Sequence, residues 1–235
     1  MKITLLTGHT FDFKNIFGFE IKIKKSPLAK KLTLRIDEKK RLPTLTIPKR
    51  CSEKQALEFL KANQDWITNT LAKLPTKIKF SDGENISFFG RNYTIVHASN
   101  QKGSCFEDNN IKISGNIEFL HRRVSDFLKK QTLDNLSELS LQKASSIGCK
   151  ISSITIKDTK SRWGSCSTLG NINYNWRICF APIDVINYLV CHEVSHLKHP
   201  NHSTSFWKTV EELCPNHKEC RRWLKIKGKD LYKYF

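Results

Sequence analysis

The stretch His192-Glu193-Val194-Ser195-His196, followed by Leu197-Lys198-His199-Pro200-Asn201-His202, decides how the rest of the chain is read. Residues four apart on a helix share a face, so His192 and His196 can reach one ion. Glu193 is turned roughly 100° away from His192. It is placed to face an open coordination position and to take a proton from a water there, without being a ligand. The run Val185, Ile186, Leu189 and Val190 predicts that this helix is buried. Pro182 stands where it can begin, and the helix is expected to run to about Lys198. Pro200 disfavours helical geometry at His199, so the chain turns and brings His202 back as a third ligand, with His199 as its rival. Three protein ligands and one open position is the arrangement of catalytic zinc, and three imidazoles suit zinc among the divalent ions. The expectation is a zinc-dependent hydrolase. A zinc-finger reading of Cys179 with His192 and His196 fails, because Asn173, Tyr174, Asn175 and Trp176 stand where a second cysteine is needed.

Working outward, the fold class expected is α+β. The N-terminal half shows apolar-polar alternation in Phe19–Lys25, Leu32–Ile36 and Leu45–Ile47, which predicts a small antiparallel sheet. Ser52 is an N-cap candidate for a helix reaching Leu74, where Pro75 stops it. A strand pair follows, Ile86–Phe89 and Tyr93–Val96, joined through Gly90-Arg91-Asn92, and residues 99–110 read as an exposed loop. In the C-terminal half, Ile117–Ile147 reads as one amphipathic helix with Phe119, Val124, Phe127, Leu128, Leu133, Leu136 and Leu139 on a broad face, and Gly148 as its C-cap. Ile151–Ile156 and Ile172–Phe180 read as strands, and two short helices after Ser203 and Asn216 close the chain. The expected division is a β-rich region over 1–110 with one helix and a catalytic region over 111–235, either as two regions or as one continuous domain.

The chain has 235 residues, 26% of them charged and 39% hydrophobic, which is enough to bury a core. Its formal charge of +18 favours acidic partners, so nucleic acid or a nucleotide stands as a partner class, although an excess of Lys also arises from coding bias. Met1 to Thr10 lacks the apolar core of a signal peptide, and no run of about 18 uncharged apolar residues predicts a membrane span. The eight cysteines are therefore expected to be reduced, in a cytoplasmic protein. His217 between Cys214 and Cys220 offers too few ligands for a second metal site and reads as packing, and His9, His97 and His121 are isolated.

Ser161-Arg162-Trp163-Gly164-Ser165-Cys166, then Asn175-Trp176-Arg177, Ala181-Pro182, the H-E-x-x-H, Asn201-His202-Ser203 and Phe206-Trp207 together resemble the YgjP-like metallopeptidases, relatives of the SprT-like and WLM zinc peptidases. Ser26–Arg35 and Phe89–Tyr93 resemble strand segments of the same family, so the likeness covers most of the chain; Arg41-Leu42-Pro43 departs from it where a glycine turn is common. The resemblance implies a zincin-type catalytic half, zinc on His192, His196 and His202, Glu193 as the catalytic glutamate and a polypeptide substrate.

Four residues of these motifs have readings of their own. Trp163-Gly164 reads as a turn after the Ile151–Ile156 strand, with Asn173–Phe180 returning antiparallel and able to bind an extended peptide by strand addition. Arg177 either orients an oxyanion or substrate carboxylate or pairs with a neighbour. Cys166 lacks a base beside it and reads as packing rather than nucleophile. Two alternatives to the peptidase keep the metal site: a nucleotide phosphohydrolase, against which the missing phosphate-cradling glycine loop counts, and a basic DNA-associated module suggested by the SprT-like relatives.

Overall fold

Alternation in Leu42–Pro48 (β5) sends Pro43, Leu45 and Ile47 into a core and leaves the residues between them half-buried. This strand belongs to the first of two compact units in the computed structural model, Met1–Thr76 and Lys77–Phe235; the residues described are 3–4, 10–11, 17–37, 40–74, 77–159 and 161–234. Pro75 and His9 lie outside them.

In the first unit, Ile3–Thr4 (β1) pairs antiparallel with Thr10–Phe11 (β2). Lys22–Ser26 (β3) runs parallel to β5, while Thr33–Asp37 (β4) runs antiparallel to it. The small sheet is thus mixed rather than antiparallel throughout. The chain does reverse between successive strands, but β5 inserts between β3 and β4, and two reversals restore the direction of β3. The helix predicted over 52–74 is two helices, Glu53–Ala62 (α1) and Gln64–Ala72 (α2). Ser52 and Gln55 close a capping box at the start of α1. Asn63 breaks the run: its backbone leaves the helical region, and its side-chain amide donates to the Phe59 carbonyl at 2.8 Å. Leu45, Ile47, Ala56, Leu60 and Ile67 form the core.

The second unit holds Asn85–Phe88 (β6), Arg91–His97 (β7), Cys105–Glu107 (β8) and Asn110–Ile113 (β9) in the order β6-β7-β9-β8. The expected boundary at 110 falls inside this unit, because Ile86, Phe88, Ile95, Ile111 and Ile113 share one core with the helix that follows. The β6–β7 turn is Phe89-Gly90, both at positive φ, so the hairpin closes one residue earlier than Gly90-Arg91-Asn92. Gly90 has a second reason to lack a side chain: a Cβ there would sit 3.2 Å from Ile183. The polar stretch 99–110 contains β8, held by β9.

Leu120–Ser146 (α3) follows a 3-10 turn at Ile117–Phe119. Its buried seam is Val124, Leu128, Thr132, Leu136, Ser140 and Ala144, one residue every turn, whereas Phe119 is exposed. Thr132 and Ser140 are tolerated there because each hydroxyl is bonded, to the Leu128 carbonyl and to the Tyr174 hydroxyl. Ser153–Lys157 (β10), Gly164–Cys166 (β11) and Asn171–Asn175 (β12) form the third sheet, in the order β10-β12-β11. β12 therefore runs parallel to β10, not antiparallel, because β11 supplies an intervening reversal and takes the edge. The strand expected to reach Phe180 stops at Asn175 and becomes a 3-10 turn, Trp176–Phe180. Ile183–Ser195 (α4), Thr204–Leu213 (α5) and His217–Lys227 (α6) complete the unit with a last 3-10 turn at Gly228–Lys233. α3, α5, α6 and β11 all pack on α4, which is why that helix is apolar on nearly every side. No described helix is long and apolar enough to cross a membrane.

Candidate active site

α4 ends at Ser195, with His196 as its C-cap. Leu197, Lys198 and His199 continue as turns, their amides bonding back to Val194 and Ser195. The chain reverses at Pro200, and Ser203 caps α5 by accepting from the Phe206 amide at 3.3 Å. His202, immediately before that cap, is thereby returned to α4. One ring nitrogen from each of His192, His196 and His202 lies within 4.8 Å of the others, the one such cluster among the described residues.

The pairwise geometry suits a shared ion. Nε2 of His202 and Nε2 of His192 are 3.1 Å apart. Two nitrogens at zinc-bond length on adjacent corners of a tetrahedron are separated by about 3.3 Å. Nδ1 of His196 donates to the His199 carbonyl at 3.1 Å, which leaves Nε2 with its lone pair free. His199 thus contributes a carbonyl that orients a neighbour, and its ring is not in the cluster. Burial and the two neighbouring imidazoles push His192 down to about 3, keeping it neutral as a metal ligand must be. Its Nδ1 is buried without a partner.

Aromatic rings wall the cluster. Phe206 is fully buried with its ring centroid 4.5–5.0 Å from all three imidazoles. Trp207 stacks on His202 and on His217. His217 is therefore packing, as read from the sequence, and Arg221 lies over the same indole.

Glu193 is 4% exposed and lies against β11. Burial pushes its carboxyl up to about 8, with the Arg162 guanidinium opposing. The sequence reading missed why Gly164 stands opposite. A Cβ on Gly164 would lie 2.3 Å from Glu193 Oε1 and 2.7 Å from its Cγ. Gly164 is a strand residue, not a turn, and a glycine within a strand marks close approach of another group. We expect Gly164→Ala to displace the carboxylate and lower any turnover at this site by about 100-fold, with a modest fall in melting temperature. Turnover within threefold of wild type, measured beside thermal unfolding, would contradict this placement.

Arg177 is not at the site. It is buried, its Nε donates to the Tyr234 carbonyl, and its NH1 meets Asp158 at 2.6 Å. Stacked over Trp176 and Tyr232, it ties the 3-10 turn to the C-terminal segment. Cys166 is half-buried, and burial pushes its thiol up to about 11, away from nucleophilic character. All eight cysteines are free.

A family model described as "YgjP-like, metallopeptidase domain" matches residues 30–227. No curated protein matches the chain. Among solved structures, the crystal structure of the metallopeptidase zymogen of Pyrococcus abyssi abylysin is 25% identical. That match covers 39% of this chain and 95% of that one, with a TM-score of 0.36.

Proposed function

Since the chain belongs to the YgjP-like metallopeptidase family and is a metal-dependent peptidase, we propose that it is a zinc peptidase in which His192, His196 and His202 hold the ion and Glu193 moves the proton. The convergence of three imidazole nitrogens within 4.8 Å carries this reading. The donor set fits: three imidazoles, two with Nε2 turned to the same point, walled by apolar rings and lacking a fourth protein ligand among the described residues. A zinc ion there supplies Lewis acidity, acidifying a water and polarising a carbonyl.

The chain's own residues do the rest. Glu193 accepts the water's proton on its carboxylate and returns it to the leaving amine. Its burial between α4 and Gly164 keeps that proton from bulk solvent. β11, at the sheet edge beside Glu193, offers its outer main chain to an extended substrate, which can add as a strand. The free thiols fit a reducing compartment, which makes the cytoplasm the proposed location.

The test uses an unstructured polypeptide and a set of nucleoside triphosphates side by side. Chelation is expected to abolish polypeptide cleavage and added zinc to restore it, with no phosphate released from nucleotides. Nucleotide hydrolysis without polypeptide cleavage would overturn the reading in favour of a phosphohydrolase. Nucleic-acid binding through the +18 charge is checked by its salt dependence, which is steep when phosphates are contacted.

A further inference from the structure

Beside Gly164 is a cavity of about 320 Å³, bounded by Lys157, Thr159, Arg162, Ser165 and Asn173. It is at the small end of ligand sites. Gly164 both lines it and touches Glu193, so the cavity adjoins the proposed catalytic group.

Its chemistry is one-sided. Lys157 and Arg162 are exposed and have no ion-pair partner among the described residues. The nearest acid in sequence, Asp158, is occupied by Arg177 at 2.6 Å. The polar groups between the cations have acceptors already engaged by their neighbours. Asn173 Oδ1 accepts from Thr155 Oγ1 at 2.6 Å, and Ser165 Oγ accepts from Asn173 Nδ2 at 3.5 Å. The Thr159 carbonyl accepts from Asn175 Nδ2 at 2.8 Å and from the Tyr232 hydroxyl at 2.9 Å. The donors in excess are the Ser165 hydroxyl proton, one Asn173 amide proton, Lys157, and Arg162, whose guanidinium also acts on the Glu193 carboxyl. A site rich in unpaired donors and cations selects an anion with several acceptor oxygens.

We propose that Lys157 and Arg162 form a subsite for a carboxylate of the polypeptide substrate, either an acidic side chain or the chain terminus. This rests on the peptidase reading, and it names the substrate feature that reading leaves open. A strand added along β11 would carry its side chains alternately to the two faces of the sheet, one of which holds Ser165 and Asn173.

The experiment measures the affinity of fluorescent peptides for the zinc-loaded Glu193→Gln protein, which retains substrate without turning it over. Matched peptides carry Glu or Gln at successive positions, and each has a free or an amidated C-terminus. The acidic form is expected to bind about tenfold tighter than the neutral one. A side-chain source shows as a dependence on where Glu stands, and a terminal source as a dependence on amidation. Arg162→Gln is expected to reduce the ratio to threefold or less, and Lys157→Glu to invert it.

Equal affinity for all four peptide types would overturn the subsite, as would a preference that survives both substitutions. Displacement of the peptide by a nucleoside triphosphate at lower concentration than by the acidic peptide would assign the cavity to phosphate instead. Cleavage by the unsubstituted protein separates the two readings. Cleavage without charge preference removes the subsite alone. Charge-selective binding without cleavage under any divalent ion removes the peptidase mechanism alone.

Discussion

Glu193→Gln is expected to lower polypeptide turnover by roughly 10²- to 10⁴-fold, the usual contribution of a positioned general base, while zinc content stays at that of the unsubstituted protein. The amide keeps the shape of the carboxyl, so the gap between α4 and Gly164 remains filled. It cannot accept a proton at neutral pH. The three imidazoles are untouched, because Glu193 is not one of the groups that converge on the metal position. Nor should the fold suffer, since the change removes a carboxyl that burial already disfavours as an anion. The measurement is kcat beside metal content on one preparation. Undiminished hydrolysis with full zinc would sink the proposed role of Glu193.

His202→Ala should act on the metal rather than on the fold. His202 is exposed and precedes the α5 cap, so its loss opens no cavity in the core. Removing one of three ligands is expected to weaken zinc affinity by more than about 100-fold, beyond what losing a supporting contact costs. Activity at limiting zinc should disappear with it. His199→Ala is the matched control. Only the His199 carbonyl is used, as the acceptor for His196 Nδ1, and alanine supplies the same carbonyl. Equal zinc content in the His202→Ala and unsubstituted proteins, or zinc loss in His199→Ala alone, would transfer the third position from His202 to His199.

The site was more legible than the sheets. His192 and His196 are an i, i+4 pair, and helical periodicity alone aligns them. Pro200 makes the turn that favours His202, and the cluster of ring nitrogens contains His202 and not His199. Gly164 carried a signal that was misread. A lone glycine suggests a turn until the element around it is known, and only the packing of β11 on α4 shows which side chain needs the space. Arg177 was ambiguous for a related reason. A single arginine has no periodic partner, and Asp158 and Tyr234 meet it only in three dimensions.

Strand order was hidden altogether. The third strand inserts between the first two in β3-β5-β4, in β7-β9-β8 and in β10-β12-β11. Alternation reports which residues face a core and says nothing about which strand lies alongside. Every pairing assumed between sequence neighbours was therefore open to insertion, and the parallel pairs β3–β5 and β10–β12 followed from it. The same limit applied to α3, where large apolar residues suggested a broad face but Thr132, Ser140 and Ala144 line the seam.

The sequence by itself determined the α+β class, the buried helix, and the placement of His192 and His196 on one helix face with Glu193 turned away from them, because each depends on spacing along one element. Tertiary structure alone decided what surrounds them: the edge strand whose glycine makes room for Glu193, the Phe206 wall, and the cavity of Lys157 and Arg162. Those depend on contacts between segments far apart in the chain, which local periodicity does not encode.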